Sequence, residues 1–344
     1  MSSTEYALEV DNLAVEFDTY GGVVKAVRDV SLKLRRGKTL AIVGESGCGK
    51  SVTVQSLMGL IPMPPGRITQ GSARLNGDEL LGLPPSVFNK IRGNRIGMIF
   101  QDPMSALNPT MTIGRQIAET LVVHRGLSVS AARAEALELL KLVQIPEPEK
   151  RIDQYPFEFS GGMLQRTMIA ISIACKPEVL IADEPTTALD VTIQAQILTL
   201  LQSLQDSYGI SIILITHDLG VVARMAHDVA VMYAGQVVEA GSVDDIFYRS
   251  AHPYTLGLRA AMPSNDVEKH ELQIIPGSPP DLFAPPTGCG FAARCPHAMR
   301  LCHANPPPAF GLDHIARCWL HHSGAPTSPV TNNLDAPRSM ESAC

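Results

Sequence analysis

Nowhere does this 344-residue chain carry a long apolar run. A membrane-spanning helix needs roughly eighteen or more consecutive apolar residues, so no span is expected. A surplus of basic charge is also missing. The formal net charge is −6, which argues against a nucleic-acid binder. The opening Met1-Ser2-Ser3-Thr4-Glu5-Tyr6 has neither the basic start nor the apolar centre of a secretory signal, so none is expected. There is no heptad run, which excludes a long coiled-coil insertion. Cysteines number seven and, with no sign of export, do not suggest a disulfide framework. Four of them, Cys289, Cys295, Cys302 and Cys318, gather near the C-terminus, where metal or redox chemistry is the usual reason. The remaining composition, 45% hydrophobic and 18% charged, is that of a globular protein with one large domain and a smaller one, or two domains.

Against these absences one stretch stands out. Gly44-Glu45-Ser46-Gly47-Cys48-Gly49-Lys50-Ser51 reads G-x-x-x-x-G-K-S between the apolar run Thr39–Val43 and a helix-like segment, Ser51 to Leu60. Glycines let the backbone curl so that several N–H groups, from Gly44 and Ser46 through Val52, face one phosphate chain. The following helix directs its positive dipole end at the same anion. Lys50 can reach the β- and γ-phosphates, and the Ser51 hydroxyl can ligate Mg²⁺.

The rest of the chain supplies a frame for this loop. Residues 7–34 alternate at period two and read as two strands, with a slip at Asp11-Asn12 that marks a bulge. Tyr20, in the turn between them, either stacks on an adenine ring or covers the sheet, and Phe17 is a second candidate for the same role. A hairpin is expected over 70–80 around Asn76-Gly77, and another over 229–239 around Ala234-Gly235. Residues 104–158 change character: segments 112–124 and 128–143 read as helices, a helical insertion in an α/β core.

Polar groups cluster where apolar strands end. Ile96–Phe100 runs into Gln101. Val179–Ala182 runs into Asp183 and Glu184, carboxylates at the tip of a central strand where α/β folds place their chemistry. Asp183 suits a Mg²⁺ partner, and Glu184 suits a base or orienter for an attacking water. Ser211–Thr216 runs into His217, a γ-phosphate contact. Ser160-Gly161-Gly162 opens a helix through about Cys175 and offers a second anion site.

With these residues in order, the chain resembles the nucleotide-binding subunits of ABC transporters. Gly44–Ser51 resembles Walker A, Gln101 the Q-loop, Ser160-Gly161-Gly162 the signature, Val179–Glu184 Walker B, Leu189-Asp190 the D-loop and His217 the switch histidine. The signature, commonly L-S-G-G-Q, here reads Phe159-Ser160-Gly161-Gly162-Met163, with its phosphate-contacting residues intact. A narrower resemblance, to the oligopeptide/dipeptide importer ATPases, rests on Ile99–Met104, Pro185–Gln196, Ala251-His252-Pro253-Tyr254-Thr255 and the extension to about residue 320. The resemblance implies a P-loop NTPase α/β core with an antiparallel β subdomain, a helical subdomain over about 104–175 and a small Cys-rich C-terminal extension. It places the ATPase domain at 6–250, the extension at 251–322 and a disordered polar tail at 323–344.

The resemblance further implies ATP-driven import of oligopeptides or dipeptides at the cytoplasmic face of the plasma membrane. The expected partners are two permease subunits, a second ATPase and an extracytoplasmic binding protein. ATP would lie on Tyr20, Gly44, Ser46–Val52, Gln101, Asp183 and His217, with Mg²⁺ on Ser51, Gln101 and Asp183. Glu184, His217 and Gln101 would serve catalysis. Ser160, Gly161, Gly162 and Asp190 would act in trans on the partner's ATP. Two rival readings are a soluble ABC ATPase acting on DNA or ribosomes, against which the single cassette speaks, and a module that binds ATP without hydrolysing it, against which Glu184 and His217 speak.

The four clustered cysteines are separated by five, six and fifteen residues in a segment poor in regular structure. Zinc usually takes tighter pairs, and separate thiolates suit a cuboidal iron–sulfur cluster. Related importer ATPases carry a [4Fe–4S] cluster on similar cysteines, which favours that reading for Cys289, Cys295, Cys302 and Cys318. Zinc and unligated thiols remain the alternatives.

Overall fold

The computed structural model describes residues 5–187, 189–262, 274–331 and 333–334. The strands in chain order are β1 (Tyr6–Thr19), β2 (Gly22–Arg35), β3 (Thr39–Val43), β4 (Gly66–Leu75), β5 (Asp78–Glu79), β6 (Ile96–Ile99), β7 (Val179–Asp183), β8 (Ser211–Ile215), β9 (Asp228–Tyr233), β10 (Gln236–Ser242) and β11 (Ile315–Ala316). They form two sheets, a four-stranded one in the order β2-β1-β4-β5 and a seven-stranded one in the order β11-β10-β9-β3-β8-β7-β6. The smaller sheet is antiparallel. In the larger, β9, β3, β8, β7 and β6 run parallel, and β10 and β11 join antiparallel at one edge.

Parallel strands covered on both faces need apolar residues at every position, and β3 and β8 are buried throughout. Side chains alternate between the two faces. From β3, Leu40 and Ile42 enter a core shared with the small sheet and the helix Lys50–Leu57. Ala41 and Val43 face a second core that includes Tyr254 and Phe291 of the C-terminal extension. A third core holds Leu180, Ala182, Ile212 and Leu214 of the sheet with the helices Ile113–Arg125, Val129–Leu142, Gly161–Ile173 and Val191–Tyr208. The helical subdomain therefore shares its core with the sheet.

Local signals read from the sequence hold in detail. The slip at Asp11-Asn12 is a register shift between Val10 and Leu13, with Asn12 at φ 51°. The turn after β4 uses Asn76 and Gly77 at φ 51° and 90°, a conformation that side-chain-poor residues tolerate. Ser128 caps its helix by accepting from the Ala131 N–H at 3.2 Å.

The extension closes the far edge of the large sheet. β11 pairs with β10, and the fully buried Glu239 accepts from the N–H groups of Ala251 at 2.7 Å and His252 at 2.9 Å. His314 Nε2 lies 2.8 Å from the same carboxylate. The segment from 323, expected to be a disordered tail, is tied to the body at Val330 and Asn333. Val330 is buried beside Cys318 and Leu320, and Asn333 donates to the Ser250 carbonyl at 2.7 Å. An apolar residue and a backbone acceptor within reach give that stretch a docking site its composition does not announce. Residues 335–344, with Cys344, lie outside the described residues.

Two outcomes follow from this packing. Leu201, fully buried where the helix Val191–Tyr208 meets the third core, should cost about 2–5 kcal/mol when replaced by Ala, measured by urea unfolding. His252 is held neutral by burial, which pushes its pKa down to about 3, with the nearby His321 acting the same way. Below pH ~6.5 the unfolded chain therefore gains a proton that the folded chain refuses. Stability should fall as pH drops from ~6.5 toward ~3. The variant His252→Asn, which keeps a capping acceptor for the Tyr254 N–H, should flatten that acid limb.

Candidate functional site

The strand order brings four loops to one edge of the large sheet. β3, β6, β7 and β8 are parallel neighbours, so the residues after their C-terminal ends emerge together. These residues are the Gly44–Lys50 loop, Gln101, Glu184 and His217.

Close packing shapes the loop. Gly44 has φ 154°, and a Cβ there would stand 2.2 Å from the Met232 carbonyl oxygen. Gly49 has φ 101°, and its Cβ would stand 2.5 Å from the Ala26 carbonyl oxygen. Only glycine satisfies both the dihedral and the clearance. Cys48 is buried as a small apolar residue, whereas Ser46 and Gly47 are exposed. Lys50 Nζ, itself buried, donates to the carbonyls of Gly44 at 2.8 Å and Glu45 at 3.0 Å. The ammonium is thus held over the concave side of the loop that its own backbone forms.

The carboxylates stand opposite. Ser51 Oγ donates to Asp183 Oδ1 at 3.2 Å. Burial pushes the Asp183 carboxyl above the ordinary range and Glu184 adds to this, while Ser51 and Lys50 oppose it. A cation beside Ser51 and Asp183 would relieve that cost, and a magnesium ion bound through one or two protein oxygens plus phosphates fits this donor set. Glu184 occupies a left-handed backbone position, φ 48°, at the strand tip. Its Oε2 accepts from Gln101 Nε2 at 3.1 Å and Thr187 Oγ1 at 2.9 Å, and its Oε1 lies 3.4 Å from His217 Nδ1. Residues 83 and 33 positions away in sequence thus meet on one carboxylate.

The other expected site residues lie apart from this cluster. Ser160 precedes the helix Gly161–Ile173, is exposed, and its hydroxyl makes no capping bond. A Cβ on Gly162 would stand 3.0 Å from Ile193, and one on Gly161 3.9 Å from Leu189, so the glycines face the segment after β7. Asp190 caps the helix Val191–Tyr208 by accepting from the Ile193 N–H at 2.9 Å. Tyr20 is fully exposed at the turn between β1 and β2, whereas Phe17 packs on the core beneath.

Cys289, Cys295, Cys302 and Cys318 line one cavity together with His252. Burial pushes Cys289 up to about 11 and Cys318 up to about 12, and neighbouring cysteines add to both shifts. His252 Nδ1 accepts from the Tyr254 N–H at 3.1 Å, which leaves Nε2 as a buried donor without a partner. Among the described residues, no group of three or more His, Cys, Asp or Glu side chains is arranged to hold a metal ion. The cavity is nonetheless lined by four thiols and an unanswered N–H.

Three contributors escaped the sequence reading. Thr187 joins Glu184, Tyr254 accepts from the Glu45 N–H at 2.9 Å, and Arg294 donates to Glu45 Oε2 at 2.8 Å. Tyr254 and Arg294 lie far from the loop in sequence; Thr187 and Tyr254 fall in stretches that carry the family resemblance and Arg294 stands one residue before Cys295, but none of these signals names a contact.

Comparison with known proteins matches this architecture. A family model described as ABC transporter matches residues 27–187, and one described as the oligopeptide/dipeptide transporter C-terminal region matches residues 238–302. The chain is 56% identical over 322 residues to the oligopeptide transport ATP-binding protein OppD of Bacillus subtilis, covering 93% of this chain and 90% of that protein. It is 54% identical to the dipeptide transport ATP-binding protein DppD of the same organism, covering 93% and 96%. With OppD of Salmonella typhimurium it shares 52% identity, covering 91% and 93%. Among solved structures, a post-hydrolysis dimer of the ATP-binding cassette MJ0796 bound to ADP and Pi superposes with a TM-score of 0.62 at 27% identity, covering 69% of this chain and 98% of that one. With the phosphate loop, the strand-tip carboxylates and the cysteine-bearing extension all in place, the chain belongs to the ATP-binding subunits of oligopeptide/dipeptide ABC transporters.

Proposed function

We propose that this subunit hydrolyses ATP to drive peptide import, working with a second ATPase against two permease subunits and an extracytoplasmic binding protein. The observation that carries the reading is Glu184, poised at a strand tip by Gln101, Thr187 and His217 and close to the Ser51–Asp183 pair. The N–H groups of Gly44 and Ser46–Val52 cradle the phosphates, with the Lys50 ammonium leaving its loop carbonyls for the β- and γ-oxygens. Tyr20, exposed at its hairpin tip, offers the adenine a face to stack on. Ser51 and Asp183, with Gln101 alongside, would hold Mg²⁺, which supplies charge neutralisation at the β- and γ-phosphates.

Glu184 takes a proton from the attacking water. Gln101 and Thr187 fix the carboxylate's rotamer, and His217 reads the γ-phosphate from the far side of the same group. Ser160, Gly161 and Gly162 offer an uncapped helix start to ATP bound by the partner ATPase, beside Asp190. ATP joins two such half-sites, and its hydrolysis releases them, a motion that Gln101 and the helical subdomain pass to the permeases. Among the described residues no helix is long and apolar enough to cross a membrane. Its likeness to transport ATP-binding proteins supports a peripheral place on the cytoplasmic face of the plasma membrane.

In the extension, Cys289, Cys295, Cys302 and Cys318 would hold a [4Fe–4S] cluster, tying four chain segments around one cavity. A cuboidal cluster offers one iron to each thiolate, so it does not require the single point of convergence that zinc does. The buried His252 Nε2–H supports this reading, because a cluster sulfur is an acceptor.

Replacing Glu184 by Gln should preserve ATP·Mg binding and lower steady-state hydrolysis in the assembled transporter by at least about a hundredfold. Normal phosphate release from that variant would remove Glu184 from the chemistry. Protein purified without oxygen should contain about four iron atoms and matching acid-labile sulfide per chain, lost in Cys302→Ser. Stoichiometric zinc instead would refute the cluster assignment.

A further inference from the structure

Glu45 is the second residue of the phosphate loop, one of the four that the G-x-x-x-x-G-K-S pattern leaves open, and it is anchored from outside the ATPase core. Its backbone N–H donates to Tyr254 Oη at 2.9 Å, and its carboxylate receives Arg294 Nη1 at 2.8 Å. Its carbonyl in turn holds Lys50 Nζ at 3.0 Å. Tyr254 belongs to the helix Pro253–Ala260, and Arg294 lies between Cys289 and Cys295, so both anchors come from the extension.

The anchors are rigid. Tyr254 is fully buried, and its ring packs 4.6 Å from that of Tyr233 and 5.4 Å from that of Phe291. The Arg294 side chain is 6% exposed. Beyond Glu45 it donates to the Pro276 carbonyl at 2.9 Å, the Ile275 carbonyl at 3.2 Å and the Tyr233 hydroxyl at 3.2 Å. An arginine with its donors answered on four sides has little rotamer freedom left to lose, so its bond to Glu45 constrains the loop.

We infer that Arg294 and Tyr254 are positioning residues that latch the nucleotide loop to the cysteine-bearing extension, so that the extension sets ATP affinity. The latch acts through Glu45, not through contact with the nucleotide. It holds the carbonyl on which Lys50 rests and limits the conformations the loop must abandon when phosphate arrives. Removing it should weaken ATP binding while leaving the Glu184 cluster, on separate strands, able to work at saturation.

The test uses the full chain for ATP·Mg titration and the assembled transporter for kinetics. Arg294→Gln and Glu45→Gln should each raise the ATP Kd and KM about tenfold, with kcat at saturation within about twofold of the parent. The double variant should be no weaker than either single one, because both remove the same contact. Arg294→Lys should restore part of the affinity, and Tyr254→Phe, which deletes only the acceptor, should raise Kd by about threefold. Glu45→Gln leaves every residue of the extension in place, so it stays decisive if Arg294→Gln loosens that module. Unchanged Kd in both single variants, additive losses in the double, or a fall in kcat with KM constant would each overturn the latch. A parent chain that binds no ATP would instead overturn the underlying site.

Discussion

The backbone between β3 and its helix must curl tightly enough to aim several N–H groups at one point, and everything else in the structure serves or exploits that curl. Gly44 and Gly49 achieve it at positive φ with carbonyls of β9 and the β2 strand pressed against the places where side chains would be. At those two positions the loop cannot relax into another shape without unpacking the strands beside it. Its rigidity comes from burial, and its affinity for anions comes from dipoles that burial leaves pointing outward. The parallel sheet adds the second requirement. Because β3, β8, β7 and β6 are neighbours in that order, the residues that follow them are delivered to the same edge.

At that edge the polar contacts divide into two connected groups. Lys50 rests on loop carbonyls, and Ser51 bonds Asp183. Glu184 gathers Gln101, Thr187 and His217. The adjacency of Asp183 and Glu184 in sequence joins the groups, while the left-handed turn at Glu184, just past the strand end, separates their roles. One carboxylate turns toward the loop where a cation would sit, and the other, on a left-handed residue, turns toward the amide and imidazole. The extension makes its contact through Glu45. A module that looks peripheral in sequence therefore touches the phosphate loop itself, at Glu45.

Much of this was legible beforehand because the relevant physics is local. Strand periodicity located β1, β2, β3, β7 and β8, and turn chemistry located Asn76-Gly77 and Ala234-Gly235. The phosphate loop is a contiguous motif whose meaning depends only on a strand before it and a helix after it. Gln101, Glu184 and His217 could be named because each follows an apolar run, although nothing in the run says which strands are neighbours. Less visible were Thr187, Tyr254 and Arg294, whose importance lies in what they touch. Also unforeseen was the docking of the chain beyond 323, where Val330 finds a small pocket beside Cys318.

The amino-acid order by itself determined the main strands and helices, the strand–loop–helix setting of the glycine-rich loop and the family, because backbone dihedral preferences, side-chain periodicity and short motifs act over a few residues. Only the tertiary structure decided that Gln101 and His217 share one carboxylate, that four distant thiols line a common cavity, and that Arg294 reaches back 249 residues to Glu45. Those contacts join residues whose spacing in the chain carries no energy of its own. They exist because sheet order and core packing bring the segments together.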